Sequence, residues 1–199
     1  MKRIWALIPL KDFACAKSRL ASALDVEDRR ALTMAMAFDV ATALMRSQTV
    51  ARVIMVSDIP ELNKLMGING LGHFDTQQSQ GLNEDLTTAA AWACGQGATH
   101  MLIAHADLPC LTPHAIDRFL LEAKDSPTSR MRAAACKEGS GTNLLLAPLP
   151  LALPLVFGKN SLARFCQNAA AVDIAIDVVH DASLAADIDE PEDFRALTQ

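Results

Sequence analysis

Apolar and polar positions along this chain fall into short buried runs separated by helical stretches. Residues 4–10 form an apolar run without helical period, closed by Pro9 and a charged loop, which predicts a buried first strand. Asp25, with Asp28 three residues on, then marks the start of a helix reaching about Met45. Between 31 and 45 only Thr33, Asp39 and Thr42 are polar, so this helix needs cover from the sheet on one side and from a second helix or a partner subunit on the other. That pattern allows a homodimer. A β-branched second strand follows at 50–56, then a short helix near 61–66, a weak strand at 70–74 and a polar loop at 75–80. Gly81 leads into a helix over 83–93, a fourth strand occupies 101–104, and Thr112-Pro113 caps a helix to about 123.

This strand–helix alternation predicts an α/β domain with a mixed, mostly parallel sheet and helices on both faces. After Arg130 the rhythm changes. Residues 131–136 and 143–147 flank the loop 137–142 (KEGSGT), which reads as a hairpin. A helix over 161–170, a strand over 174–179 and a last helix from Pro191 complete the pattern. No repeat or linker divides the chain, so residues 1–199 are expected to form a single domain.

Composition narrows the class. A hydrophobic content of 51% with 21% charged residues describes a soluble globular protein, and a net charge of −5 gives nothing to attract nucleic acid or an anionic membrane. The basic start followed by an apolar run mimics a signal peptide, but the run is short and has no small-residue cleavage site after it. The uncharged stretch 143–158 is too short to span a bilayer and contains Pro148, Pro150 and Pro154, so a buried strand and an apolar loop are expected there. The five cysteines lack metal spacing and read as small core residues in a reducing, cytoplasmic setting.

Four groups offer chemistry. In open parallel sheets ligands bind beyond the carboxyl ends of the strands, and those ends carry Pro9-Leu10-Lys11, Ser57-Asp58 and Asp107-Leu108-Pro109. Lys11, Lys17 and Arg19 lie in one loop that is neither a Walker loop nor a glycine-rich dinucleotide loop; they are either a triphosphate site or a solvated basic surface. Asp107 is either a Mg²⁺ ligand or a turn aspartate capping the next helix. Asp187 and Asp189 share a side if the segment is extended, although Asp189 is equally placed to cap a helix at Pro191. The fourth group pairs Gly139-Ser140-Gly141-Thr142-Asn143 with Phe157-Gly158-Lys159-Asn160-Ser161, two segments suited to an anion or simply to a turn and a cap. The histidines show no metal spacing, and His105 stands two residues before Asp107.

The order IPLK, AKSRLA, SD-x-P, GLN, ADLP-x-L, GTN-x-LL, FG-x-x-S and DIDEPED resembles the family that guanylylates 2-phospho-L-lactate, phosphoenolpyruvate or 3-phospho-D-glycerate in biosynthesis of the deazaflavin coenzyme F-420. The resemblance covers nearly the whole chain. It implies a Rossmann-like fold of the nucleotide-diphospho-sugar transferase (glycosyltransferase-A) type and a transfer of GMP from GTP to a phosphorylated three-carbon acid. It further implies that Lys11, Lys17, Ser18 and Arg19 hold the GTP phosphates, with Lys17, Arg19 and Asp107 as the catalytic groups. Ser57, Asp58, Gly81, Leu82 and Asn83 would surround base and ribose, and Asp107 with Asp187 or Asp189 would hold Mg²⁺. Thr142, Gly158 and Ser161 would take the acid.

The chain departs from that family at three places. His105 stands where proline is usual, Ala147 where arginine is frequent, and Phe165 where histidine is common. The last two are expected on the acceptor side and so bear on which acid is used. Two rivals fit less well. A molybdopterin nucleotidyltransferase would open with GG-x-S-x-RMG, which is absent, and a non-catalytic nucleotide-binding protein would have no use for Asp107, Asp187 and Asp189.

Overall fold

The computed structural model describes residues 2–10, 18–59, 62, 70–121, 131–188 and 193, with the side chains of 18 and 19 excepted. Its centre is a seven-stranded sheet in the order β3-β2-β1-β4-β6-β5-β7. The strands are β1 Ile4–Pro9, β2 Val50–Ser57, β3 Leu71–Asp75, β4 His100–Ala104, β5 Met131–Ala135, β6 Thr142–Pro148 and β7 Ile176–Val179. Every pairing is parallel except those of β6, which runs antiparallel to both β4 and β5. The mixed, mostly parallel sheet read from the sequence is therefore present.

Helices cover both faces because the strands alternate their side chains between two cores. Ile4, Ala6 and Ile8 of β1 pack with α1 (Val26–Met45), while Trp5 and Leu7 pack on the opposite side with α2 (Leu82–Gly95). The first face also carries α3 (Pro113–Leu121) and the short α5 (Ala182–Ala185); the second carries α4 (Ser161–Ala171). The apolar loop after β6 closes the second face, with Leu153, Leu155, Val156 and Phe157 buried in it. No helix among the described residues is long and apolar enough to cross a membrane.

The caps follow the sequence. Asp25 accepts a hydrogen bond from the Asp28 N–H at 2.8 Å, and the Thr112 hydroxyl accepts one from the Ala115 N–H at 3.2 Å. One side of α1 meets the sheet and α3, whereas Ala31, Ala35 and Asp39 face outward. Two elements were not anticipated: a 3-10 helix at Ser18–Ser22, and α5, whose cap Asp181 accepts from the Ser183 N–H. Both are too short to leave a period in the sequence. The helices expected at 61–66 and from 191 lie outside the described residues apart from Leu62 and Asp193. Cys136 is buried as expected of a core cysteine, but Cys110 is exposed, because it falls in the turn between β4 and α3.

Candidate active site

The chain runs from β1 to β2 on one side and later returns to β4 on the other, so the carboxyl ends of β1 and β4 flank a topological switch point. Reversal of β6 brings a second set of residues to that edge. Ala104, the last residue of β4, pairs with Leu144, so the start of β6 lies beside the end of β4. The His105 N–H donates to the Asn143 carbonyl at 3.1 Å and continues the ladder into the turn that carries Asp107.

Asn143 then organises the next layer. Its side-chain amide donates to the carbonyls of Leu184 and Ala185 at 3.1 and 3.2 Å, fixing the end of α5. From there the chain passes through Asp187, and the Ile188 N–H reaches the Asp107 carbonyl at 3.3 Å. Two carboxylates eighty residues apart in sequence are thereby held on adjoining segments facing one cleft.

That cleft has a volume of about 730 Å³. Besides the aspartates, it is walled by the turn between β5 and β6 and by the start of α4. Ser161 and Thr142 are both buried, and the Ser161 hydroxyl donates to the Thr142 hydroxyl at 3.1 Å. The Ser161 N–H bonds to the Gly158 carbonyl and the Leu162 N–H to the Ser140 carbonyl, so the two loops are stitched together. Gly158 has φ +120°, and no atom lies within 4 Å of where its Cβ would be; the backbone conformation, not space, calls for glycine.

The loop before α4 is also held from the other side. Asn83 accepts from the Phe157 N–H at 2.8 Å and donates to the Phe157 carbonyl at 3.2 Å. Phe157 stacks edge-on against His105 at 5.2 Å and against Phe165 at 5.1 Å. Two of the three departures from the family pattern thus meet through one aromatic ring. The third is corrected by the structure. Ala147 pairs with Met101 at the opposite end of β4 and lines a small apolar cavity of about 50 Å³ with Leu151 and Leu153, far from the cleft. It does not line the cleft, because β6 runs away from that edge from its first residue onward.

Of the expected site residues, the cleft brings together Leu82, Asp107, Thr142, Gly158, Ser161 and Asp187. Ser57 and Asp58 end β2 outside its lining. The Ser57 hydroxyl accepts from the Ile59 N–H, and its carbonyl takes the Thr76 N–H and His73 Nε2. Gly81, at φ +113°, precedes α2 without a side-chain cap, and Asn83 is the Phe157 clamp. Ser18 and Arg19 begin the 3-10 helix, while Lys11, Lys17 and Asp189 lie outside the described residues. Asn143 and Phe157 were visible in motifs, but their organising roles were not assigned.

The residues present fit a magnesium ion. Among the described residues no group of three or more His, Cys, Asp or Glu is gathered as a metal cage. Two hard carboxylates, Asp107 and Asp187, on an open cleft are what Mg²⁺ needs when phosphate oxygens and water complete its shell.

Comparison with known proteins bears on the fold and the family. A protein from Desulfovibrio desulfuricans G20 whose structure is described as that of a putative nucleotide-diphospho-sugar transferase shares the fold, with a TM-score of 0.78 at 16% identity over 99% of this chain and 87% of that one. The phosphoenolpyruvate guanylyltransferase of Conexibacter woesei is 33% identical over 198 residues, covering 98% of this chain and 87% of the relative. The protein of the same name from Rubrobacter xylanophilus is 34% identical over 197 residues, covering 98% and 93%. Residues 4–198 match the family described as "Guanylyl transferase CofC like", and the chain belongs to that guanylyltransferase family.

Proposed function

We propose that this guanylyltransferase moves GMP from GTP to the phosphate of phosphoenolpyruvate, releasing pyrophosphate, as a step in F-420 biosynthesis. The observation that carries the reading is that the Asp107/Asp187 pair and the hydrogen-bonded Thr142/Ser161 pair line one cleft. The relatives' names supply the choice of acid; 2-phospho-L-lactate and 3-phospho-D-glycerate are the competing acceptors.

In the reaction an acceptor phosphate oxygen attacks the α-phosphorus of GTP in line. A new P–O–P linkage forms as the bond from the α-phosphorus to the bridging oxygen breaks, and the electron pair leaves with pyrophosphate. A phosphate monoester loses its second proton near pH 6, so the nucleophile is already ionised and no strong general base is required. Positioning and charge neutralisation do the rest. Lys11, Lys17, Ser18 and Arg19 are assigned to the triphosphate, Ser57, Asp58, Gly81, Leu82 and Asn83 to the nucleoside, and Thr142, Gly158 and Ser161 to the acid. Asp107 and Asp187, with Asp189 as the further candidate, would hold Mg²⁺, which when bound neutralises charge on the phosphate oxygens.

The test incubates pure protein with GTP and Mg²⁺ and offers the three acids one at a time. Pyrophosphate release and product mass are read for each. The highest kcat/KM is expected with phosphoenolpyruvate. A better rate with either other acid overturns the choice of acceptor, and no turnover with any of them overturns the reaction.

A further inference from the structure

The acceptor has two anionic ends, and the proposed function accounts for only one. Its phosphate must approach the Asp107/Asp187 side, where the chemistry takes place. The carboxylate at its other end enters a cleft that already carries Asp107, Asp187 and Glu138. Uncompensated, that is repulsion. Among the described lining residues Lys159 is the one lysine or arginine.

We infer that Lys159 receives the carboxylate of the acceptor and thereby selects phosphorylated acids over simple phosphate esters. This rests on the reading of the reaction given above. The backbone around Lys159 is fixed. Gly158 and Asn160, on either side, have φ of +120° and +54°, and their carbonyls accept the N–H groups of Ser161 and Arg164. The preceding residue but one, Phe157, is clamped by Asn83. The side chain itself is exposed and makes no ion pair with a described residue. Lys137, in the facing turn, is different: its Nζ lies 3.2 Å from Asp193 Oδ1. An ammonium on a rigid base, lining the same cleft as Ser161 and Thr142 and with no ion pair to a described residue, is suited to an incoming anion.

The experiment compares wild type with Lys159→Met, Lys159→Arg and, as a control, Lys137→Met. The acid that wild type uses is the substrate, and ethyl phosphate, which has a phosphate and no carboxylate, is the competitor against it. In Lys159→Met the KM for the acid should rise on the order of fivefold to tenfold, with the KM for GTP and the inhibition constant of ethyl phosphate unmoved. Lys159→Arg should restore most of the loss, and Lys137→Met should match wild type. An unchanged KM for the acid, a raised KM for GTP, weaker ethyl phosphate binding or an equal loss in Lys137→Met each overturns the assignment. If wild type turns over none of the three acids, the reading of the reaction fails instead.

Discussion

The sheet joins two regions built on different logic. In β3-β2-β1-β4 every strand runs the same way, so each contributes only its carboxyl end to the ligand edge. In β6-β5-β7 the strand β6 alone is turned back, and the site takes the turn between β5 and β6, the first residue of β6 and the start of α4. The parallel region is a repeating scaffold with helices packed on continuous apolar strands. The reversed region has a short edge strand, an apolar loop and the side-chain hydrogen bonds by which Asn143 and Asn83 hold the loops around the cleft. Under the proposed reaction the difference bears on specificity: the scaffold would present the nucleotide edge, and the reversed region would shape the wall that meets the acceptor.

The seam between the regions should be the most sensitive place. Asp107→Asn keeps the backbone carbonyl that accepts from Ile188 and removes the charge, so turnover should fall on the order of a thousandfold. The circular dichroism spectrum and melting temperature should stay near wild type. Activity close to wild type in this variant would detach the chemistry from the seam.

A smaller effect is expected where one region holds the other. Asn83→Ala frees Phe157 from α2, leaving a backbone N–H and carbonyl without partners, at a cost of about 1–3 kcal/mol in stability. Because Phe157 lines the cleft assigned to the acceptor, the KM for the acid should rise on the order of tenfold, with a smaller rise in the KM for GTP from loss of the nucleoside contact assigned to Asn83. An equal rise in both would mean that the two regions do not divide the substrates.

The smallest effect lies wholly within the scaffold. Asp117 on α3 accepts from the hydroxyls of Ser47 and Thr49 and from the N–H groups of Gln48 and Thr49. Burial alone pushes its carboxyl up, but these hydrogen bonds together outweigh burial and hold it below its ordinary value of 3.8. With the folded value depressed, the stabilisation is complete above 3.8 and is lost as pH falls through the folded value. Asp117→Asn should therefore lower stability by about 1 kcal/mol at neutral pH, with the gap from wild type closing in strong acid and with kinetic constants unchanged. Urea denaturation at several pH values reads this directly; a gap that widens in acid would contradict the sign.

The two regions were also unequally legible in the sequence. Strand and helix periods, Asp25 and Thr112 as caps, and Asp107 at the end of β4 are local signals, and each lies where the pattern placed it. The reversal at 137–142 was legible too, since turn residues between two apolar runs permit little else. Asn83 stands in the local GLN motif assigned to the nucleoside, whereas Phe157, which its side chain also holds, is distant in the chain and gives no local signal of that bond. Ala147 was assigned to the acceptor side because position along a strand does not reveal which end of the sheet that strand has reached. His105 and Phe165, sixty residues apart in sequence, both meet the Phe157 ring, a link that no local pattern carries.

The join between Asp187 and Asp107 has a consequence for how the protein is made. The chain emerges from the ribosome in order, and the parallel scaffold through β4 is complete long before α5 exists. Until Asn143 has captured the end of α5 and Ile188 has reached the Asp107 carbonyl, the second carboxylate is not in place. Ligands that bind only the finished site cannot stabilise a partial chain by mass action. The nascent protein must therefore hold its scaffold by its own packing and hydrogen bonds, and substrates enter the balance only in the last stage of synthesis.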